Sequence, residues 1–263
     1  MNSPIKLIST DFDGTLHADF EDPPVPVRLQ ELIGELQHRG AKWVINTGRD
    51  LPSLMEALAR ARLSVRPDFL ALVEREIYCH EGSQYVPLAE WNARCESDHA
   101  ELFAQLKPAL PRVIDWLNAN FDAMIYSDAY SPLCIIAKTN RDMDRMHKYL
   151  DEFCEQRQTL TAVRNDVYVR FSHSAYNKGT ALGEIARRIG AQREEIFAAG
   201  DHLNDLPMLT KEVAEWLVAP SNAVDEVKTL VREQKGFVST QSCGHGVADG
   251  LEECLRTLGF KRG

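Results

Sequence analysis

An alternation of short apolar runs with stretches of helical periodicity begins near residue 5, stops near residue 74 and resumes near residue 177. The first part holds three strand-like runs separated by two amphipathic stretches, at 5–10, 27–36, 41–46, 51–63 and 69–73. This order is typical of a parallel sheet with crossover helices. The last part resumes it with strand-like runs at 196–199, 216–219 and 237–238 and helical stretches at 177–190, 224–233 and 247–258. The sequence therefore predicts an α/β fold split into two sequence halves.

The interruption between these halves has a different pattern. It holds two hairpin-like runs, a helical stretch broken by prolines, three strand-like runs and a further helix, at 76–78, 84–88, 97–120, 124–126, 133–138, 166–171 and 141–157. An antiparallel sheet backed by helices is the simplest assembly of such elements. We therefore expect residues 84–172 to form an inserted domain, and residues 1–83 and 173–263 to form the core domain.

Length and charge bound the functions open to this chain. Its 263 residues suit a core domain with a smaller second one. The formal charge of −9 and the pI near 5.4 argue against a nucleic-acid partner, because phosphate backbones are bound by excess Lys and Arg. Six scattered cysteines without a C-x-x-C pair suggest neither a zinc cluster nor a redox dithiol. No apolar run is long enough for a membrane span, so we expect a cytoplasmic protein that has no membrane partner.

The first strand-like run ends in two carboxylates. Asp11 and Asp13 follow apolar and small residues, and Gly14 marks the turn out of the sheet. Two carboxylates two residues apart lean to the same side of an extended chain, where they repel each other unless a cation lies between them. A hard divalent ion would remove this repulsion, and an ionised Asp could then attack phosphorus. The ordinary alternative is a strand-end turn, because Asp and Gly dominate turns for local reasons.

Three other candidate sites lie at strand ends or helix starts of the core: Thr47 with Gly48, Lys178, and Asp201 with Asn204 and Asp205. In an open parallel sheet the binding crevice lies at the carboxyl ends of the strands, where the winding direction reverses. If the first strand neighbours the strand before Asp201, the carboxylates of Asp11, Asp13 and Asp201 converge there. Taken singly, Lys178 reads as a solvated lysine, and the turn at Thr47 as an ordinary helix N-cap.

Each of these residues has a task in phosphoryl transfer. Asp11 is the candidate nucleophile, and Asp13 the candidate acid and base for the leaving oxygen and for water. The Asp11 carboxylate, the Asp13 main-chain carbonyl and the Asp201 carboxylate would hold Mg²⁺. Five residues serve the phosphate or the ion in other ways: Thr47 by its hydroxyl, Gly48 by its backbone N–H, Lys178 by its charge, Asn204 by contact with the phosphate, and Asp205 by holding metal-bound waters.

The order of four motifs resembles a known family. Asp-Phe-Asp-Gly-Thr-Leu (11–16), Thr-Gly-Arg (47–49), Asn-Lys-Gly (177–179) and Gly-Asp-x-x-Asn-Asp-x-x-Met (200–208) are similar to the motifs of the haloacid dehalogenase superfamily. More narrowly they resemble the Cof-type phosphatases of subfamily IIB, which include sucrose-phosphate and other sugar-phosphate phosphatases. The resemblance implies a Rossmann-like, doubly wound parallel-sheet core with an inserted α+β cap domain of the C2 type. It also implies a Mg²⁺-dependent phosphatase acting on a small-molecule phosphate ester through an aspartyl-phosphate.

Two segments depart from that family pattern. Many relatives have Asn-Gly-Ala after the third strand, where this chain has Glu74-Arg75-Glu76. His202 and Leu203 fill a loop that often holds small residues. The first departure affects a substrate contact and the second the shape of the Asp201 loop.

Two other functions stay open at this stage. One is a phosphomutase of the same superfamily, which would return the phosphoryl group to sugar. The other, from a different class, is a binding or regulatory module in which Asp11 is a phospho-acceptor. The combination of Asp13, Lys178 and an inserted domain favours an enzyme, since a pure acceptor site needs no acid for a leaving group.

Overall fold

Strands and helices follow one another in three groups in the computed structural model, which describes residues 3–260. The first group is β1 (Leu7–Thr10), α1 (Val27–His38), β2 (Lys42–Asn46), α2 (Leu51–Ala61), β3 (Phe69–Leu72), β4 (Glu76–Glu81) and β5 (Gln84–Pro87). The second is α3 (Ala89–Leu106), α4 (Leu110–Asn120), β6 (Ala123–Tyr126), β7 (Cys134–Ala137), α5 (Asn140–Glu155), β8 (Leu160–Asn165) and β9 (Tyr168–His173). The third is α6 (Lys178–Ile189), β10 (Ile196–Ala199), β11 (Trp216–Ala219), α7 (Asp225–Glu233), β12 (Phe237–Val238) and α8 (Cys243–Thr257), with short 3₁₀ helices at Arg193–Glu195 and Leu203–Asp205.

These groups form two compact units. The core unit is the chain up to Leu88 together with the chain from Asn177, and the inserted unit is Ala89–Tyr176. The sequence placed both boundaries a few residues earlier and assigned β5 to the inserted domain. In the structure β5 instead pairs antiparallel with β4, with His80 opposite Tyr85, and so extends the sheet of the core unit. A tight hairpin keeps both of its strands in one sheet.

The core unit contains one large sheet with β1 at its centre. Its strand order is β12-β11-β10-β1-β2-β3-β4-β5. β1 pairs in parallel with β10 on one side and β2 on the other, so that Thr10 lies between Ala199 and Ile45. The winding direction reverses at β1, which confirms the doubly wound α/β core predicted from the sequence. The segments that follow β1 and β10 therefore leave the sheet side by side.

Local sequence signals fix where the helices around this sheet begin. The Asp50 side chain accepts a hydrogen bond from the Ser53 N–H and caps α2. The Asn177 side chain accepts from the Gly179 and Thr180 N–H groups and caps α6, which ends at Gly190 in the left-handed conformation. The cap at Asn177 makes Lys178 the first residue of α6. Within residues 3–260, no helix combines the length and the apolar character required to cross a bilayer.

The inserted unit is an antiparallel sheet with helices, as the sequence predicted. Its strand order is β6-β7-β9-β8. The helix α5 buries Met143, Met146 and Leu150 against the strands, and β9 adds Val169 and Phe171 to the same apolar cluster. Two elements differ from expectation. β8 was not predicted, and its hairpin with β9 depends on a left-handed φ of 51° at Asp166, which Asp tolerates. α3 begins at Ala89 rather than near residue 97.

Candidate active site

Asp11 lies at the carboxyl end of the fully buried strand β1 and is itself buried. Its backbone N–H donates to the Ala199 carbonyl at 2.9 Å, which continues the pairing with β10 by one residue. The turn that follows depends on Gly14, which has a φ of 75°. A Cβ at Gly14 would lie 2.5 Å from Oδ2 of Asp201, so only glycine lets the two loops approach so closely. The structure thus brings together two loops that are 186 residues apart at the Thr15–Asp201 hydrogen bond.

Lys178 is fully buried between two carboxylates. Its Nζ donates to Oδ1 of Asp11 at 2.7 Å and to Oδ1 of Asp205 at 2.6 Å. Burial lowers the pKa of Lys178, but Asp11 and Asp205 outweigh burial and raise the pKa above its ordinary value. Lys178 is therefore charged, and it fixes the Asp11 carboxylate. The carbonyl of Lys178 also accepts from the Asn46 amide at the end of β2, at 2.9 Å.

Three carboxylates form an acidic cluster at this edge of the sheet. Asp11, Asp201 and Asp205 each offer an oxygen within 4.8 Å of the others. Burial raises the pKa of Asp11 well above its ordinary value, and Asp205 and Asp201 add to the rise while Lys178 opposes it. Burial, followed by repulsion from Asp205, raises the pKa of Asp201 to about 7. The cluster is thus short of positive charge.

The oxygen atoms of this cluster suit a hard divalent cation such as Mg²⁺. Asp205 is committed elsewhere, since its Oδ2 accepts from the N–H groups of Asp201 and His202 at 2.8 and 2.9 Å and its Oδ1 from Lys178. Asp201 accepts from the Thr15 hydroxyl through Oδ1 at 2.6 Å. Asp205 therefore shapes the loop, and Asp11 and Asp201 are the pair whose carboxylates fit a shared ion.

Asp13 is held by an arginine for which sequence reasoning gave no role. Its two carboxylate oxygens accept from Nε and Nη2 of Arg49, each at 2.7 Å. The Arg49 guanidinium also lies over the Phe12 ring, 5.5 Å from its centroid. The hydrogen bond to Asp13 outweighs burial and raises the pKa of Arg49. Arg49 belongs to the Thr-Gly-Arg motif, but nothing in that motif indicates which carboxylate it contacts.

Thr47 and Gly48 form the loop that follows β2. Thr47 is buried, and its hydroxyl accepts from the Arg49 N–H at 3.2 Å. A Cβ at Gly48 would lie 3.3 Å from Oε1 of Glu74 and 4.0 Å from Nδ2 of Asn204. The structure therefore brings Gly48 and Asn204 together, with Glu74 beside both.

Glu74 is a second residue of the site, after Arg49, for which sequence reasoning gave no role. It is 6% exposed, and its Oε1 accepts from Nδ2 of Asn204 at 2.7 Å. Glu74 and Val73 have left-handed φ angles of 65° and 44°. Such backbone costs about 1–2 kcal/mol for each L-residue, and it persists where the surroundings impose it. The available signal was the charged triplet Glu74-Arg75-Glu76, which directly follows a buried apolar run where many relatives have Asn-Gly-Ala.

Two family models match this sequence. One, described as haloacid dehalogenase-like hydrolase, matches residues 109–251, which is more than half of the chain. The other, described as sucrose-6F-phosphate phosphohydrolase, matches residues 4–109.

Curated relatives and solved structures match almost the whole chain. The 5-amino-6-(5-phospho-D-ribitylamino)uracil phosphatase YcsE of Bacillus subtilis (strain 168) is 24% identical over 265 residues, 94% of each chain. The putative phosphatase YxeH of the same organism is 24% identical over 278 residues, which cover 95% of this chain and 98% of its own. The sucrose-phosphatase of Synechocystis sp. PCC6803, solved with sucrose and phosphate, shares the fold with a TM-score of 0.73 at 17% identity, over 96% of this chain and 98% of its own.

Proposed function

This chain belongs to the haloacid dehalogenase-like hydrolases, and on that premise we propose that it is a Mg²⁺-dependent sugar-phosphate phosphatase with an aspartyl-phosphate intermediate. Its relatives and fold make it a phosphoric monoester hydrolase. The observation that carries the mechanistic proposal is the cluster of Asp11, Lys178, Asp201 and Asp205 at the reversal point of the sheet.

In the proposed reaction the Asp11 carboxylate attacks the phosphorus and the alkoxide of the ester leaves. Lys178 holds one oxygen of Asp11 by a hydrogen bond and supplies a fixed positive charge for the phosphate. Asp13 donates a proton to the leaving oxygen, and later takes one from the water that hydrolyses the aspartyl-phosphate. Asp13 must give up a hydrogen bond to Arg49 when it is protonated, because a protonated oxygen cannot accept in the same way.

Mg²⁺, when bound, would neutralise the carboxylates and the incoming phosphate oxygens. Asp11 and Asp201 would hold it by their carboxylates and Asp13 by its main-chain carbonyl. We infer that Asp205 acts indirectly, because both of its oxygens are engaged by Lys178 and by the backbone of its own loop.

The proposed substrate class is a phosphate ester of a sugar or sugar alcohol. The YcsE relative is named for a phosphoribityl compound, and the Synechocystis structure holds sucrose and phosphate. Both named compounds carry a polyhydroxylated carbon skeleton, which supports an ester of this kind. The charge of −9 on the whole chain also favours a small substrate over a polyanion.

A panel of phosphorylated metabolites with detection of free phosphate tests this function. Sugar and sugar-alcohol phosphates should release phosphate when Mg²⁺ is present, and EDTA should abolish the release until Mg²⁺ is restored. Release from nucleotides alone, or turnover that EDTA leaves unchanged, would contradict the proposal.

A further inference from the structure

The turn between β3 and β4 is bound to the Thr47 loop through its backbone. The Val73 N–H donates to the Arg49 carbonyl at 3.0 Å, and the Glu74 N–H donates to the Thr47 carbonyl at 2.9 Å. These bonds hold two successive L-residues at left-handed φ angles. Strained backbone of this kind clusters at functional sites. Its effect here is to direct a buried acidic residue toward Gly48 and Asn204.

The Glu74 carboxylate connects two loops of the candidate site. Its Oε1 accepts from Nδ2 of Asn204 at 2.7 Å and would lie 3.3 Å from a Cβ on Gly48. Asn204 belongs to the loop that carries Asp201, and Gly48 to the loop expected to bind phosphate. Glu74 is therefore in contact with the loops on both sides of the site.

The contact with Glu74 decides how the Asn204 amide is oriented. An ionised carboxylate accepts hydrogen bonds and donates none, so Asn204 must present its NH₂ group to Glu74. A flipped amide would set two oxygens against each other. Oδ1 of Asn204 is consequently turned elsewhere, and this buried atom has no hydrogen-bond partner within the described residues. Glu74 thus fixes the orientation of an amide that would otherwise be free to exchange its two ends.

Glu74 also adds negative charge where an anionic group would bind. Burial lowers the pKa of Lys178, whereas Asp11, Asp205 and Glu74 raise it, so the carboxylate of Glu74 lies within electrostatic range of that ammonium. A fixed carboxylate near Lys178, the only buried lysine among residues 3–260, weakens the attraction of the site for phosphate. A hydrolase that must release inorganic phosphate gains from such weakening.

We propose that Glu74 is a positioning residue that holds the Asn204 amide by its hydrogen bond and, through its charge, limits the affinity of the site for phosphate. The inference rests on the proposed phosphatase function. The hydrogen bond and the charge of Glu74 can be tested separately. Glutamine keeps the oxygen acceptor and removes the charge, while glycine removes both and suits the left-handed backbone.

Isothermal titration of inorganic phosphate into the Mg²⁺-loaded protein tests the charge, and steady-state kinetics on a sugar phosphate test the positioning. Glu74→Gln should bind phosphate about tenfold more tightly than the wild type, whereas Glu74→Gly, which also releases the Asn204 amide, should gain less. Glu74→Gln should keep kcat within about threefold, whereas Glu74→Gly should lose about tenfold in kcat because nothing holds Asn204. Glu76→Gln removes the same charge two residues away, where the carboxylate accepts from the Tyr78 hydroxyl, and is the matched control.

A phosphate affinity of Glu74→Gln within about twofold of the wild type, with its melting temperature preserved, would overturn the proposal. Equal tightening in Glu76→Gln would overturn it too, because the effect would then belong to the net charge of the chain. Failure of the proposed phosphatase function would be recognised by a different result. In that case the wild type releases no phosphate from any ester in the panel, whatever the affinities in the titration.

Discussion

The core unit and the inserted unit bury different kinds of side chain. At the reversal point of the core sheet, Lys178 and Asp205 are completely buried and Asp11 nearly so. The centre of the inserted unit is apolar, with Met146 and Phe171 among its most buried residues. Burial of apolar groups stabilises a fold, whereas burial of like charges costs free energy unless cations compensate them. This difference indicates that the buried charged residues of the core unit serve chemistry, whereas the buried apolar residues of the inserted unit stabilise its fold.

The largest effect expected from this contrast is on turnover. Asp11→Asn should reduce phosphate release by about a thousandfold or more, because the amide is no nucleophile toward phosphorus. The free energy of unfolding should not fall, since burial already raises the pKa of Asp11 and penalises its charge. Phosphate release and urea unfolding of the same preparation measure the two quantities.

A matched control for this variant is Asp225→Asn, which removes a side chain that is 95% exposed in the same unit. It should leave turnover and stability unchanged. An Asp11→Asn protein that keeps even about a tenth of the wild-type activity would contradict the nucleophile assignment.

In the inserted unit we expect a substitution to lower stability and to preserve turnover. Leu150→Ala truncates a side chain that is 1% exposed in the apolar cluster. It should lower the free energy of unfolding by about 2–5 kcal/mol, because the lost burial and the residual cavity both count. Turnover well below the melting temperature should stay within about twofold of the wild type. If Leu150→Ala instead lost turnover at unchanged stability, the apolar cluster would not have the purely stabilising role that distinguishes it from the buried charges of the core unit.

A third prediction concerns pH in the metal-free protein. Burial, followed by repulsion from Asp205, raises the pKa of Asp201 to about 7, whereas the pKa of an Asp in the unfolded chain is about 4. Between these values the folded chain holds a proton that the unfolded chain has released. The free energy of unfolding should therefore fall as the pH rises from about 4 to about 7, and stay level above.

Urea unfolding in EDTA between about pH 5 and about pH 8 measures this dependence. Asp201→Asn should lose less stability than the wild type over that range, and Mg²⁺ should restore the stability of the wild type at the upper end. Parallel profiles for the two proteins would show that Asp201 is not the group that titrates.

The smallest effect is expected at an exposed ion pair of the inserted unit. Arg164 donates to Asp144 at 2.7 Å, but the Asp144 side chain is 65% exposed. Water screens such pairs, so Asp144→Ala should change the free energy of unfolding by less than about 1 kcal/mol. A larger loss of unfolding free energy would contradict the expectation that exposed ion pairs in this protein contribute less to stability than buried ones.

Much of the core could be predicted because its signals are local. Apolar runs followed by Asp or Gly fixed the ends of β1 and β10, and the parallel order at β1 followed from the strand and helix rhythm. Asp11, Asp13 and Asp201 were therefore expected to converge. One oxygen of Asp11 and one of Asp201 do lie within 4.8 Å of each other, but the third carboxylate of that cluster is Asp205, and the Asp13 carboxylate is bound by Arg49 instead.

What could not be predicted depends on contacts between distant residues. A lysine before a helix is usually solvated, and only the approach of Asp11 and Asp205 explains why Lys178 is fully buried. The pair of Arg49 and Asp13 spans 36 residues, and that of Glu74 and Asn204 spans 130. No periodicity or spacing encodes such pairs.

The central claim is that carboxylates from the two sequence halves share one divalent ion at the edge of the core sheet. Calorimetric titration of Mg²⁺ into the metal-free wild type, Asp201→Asn and Asp225→Asn tests it most directly. We expect one ion per chain for the wild type and for Asp225→Asn, and an affinity at least about tenfold weaker for Asp201→Asn. Equal affinities in all three proteins would contradict the claim.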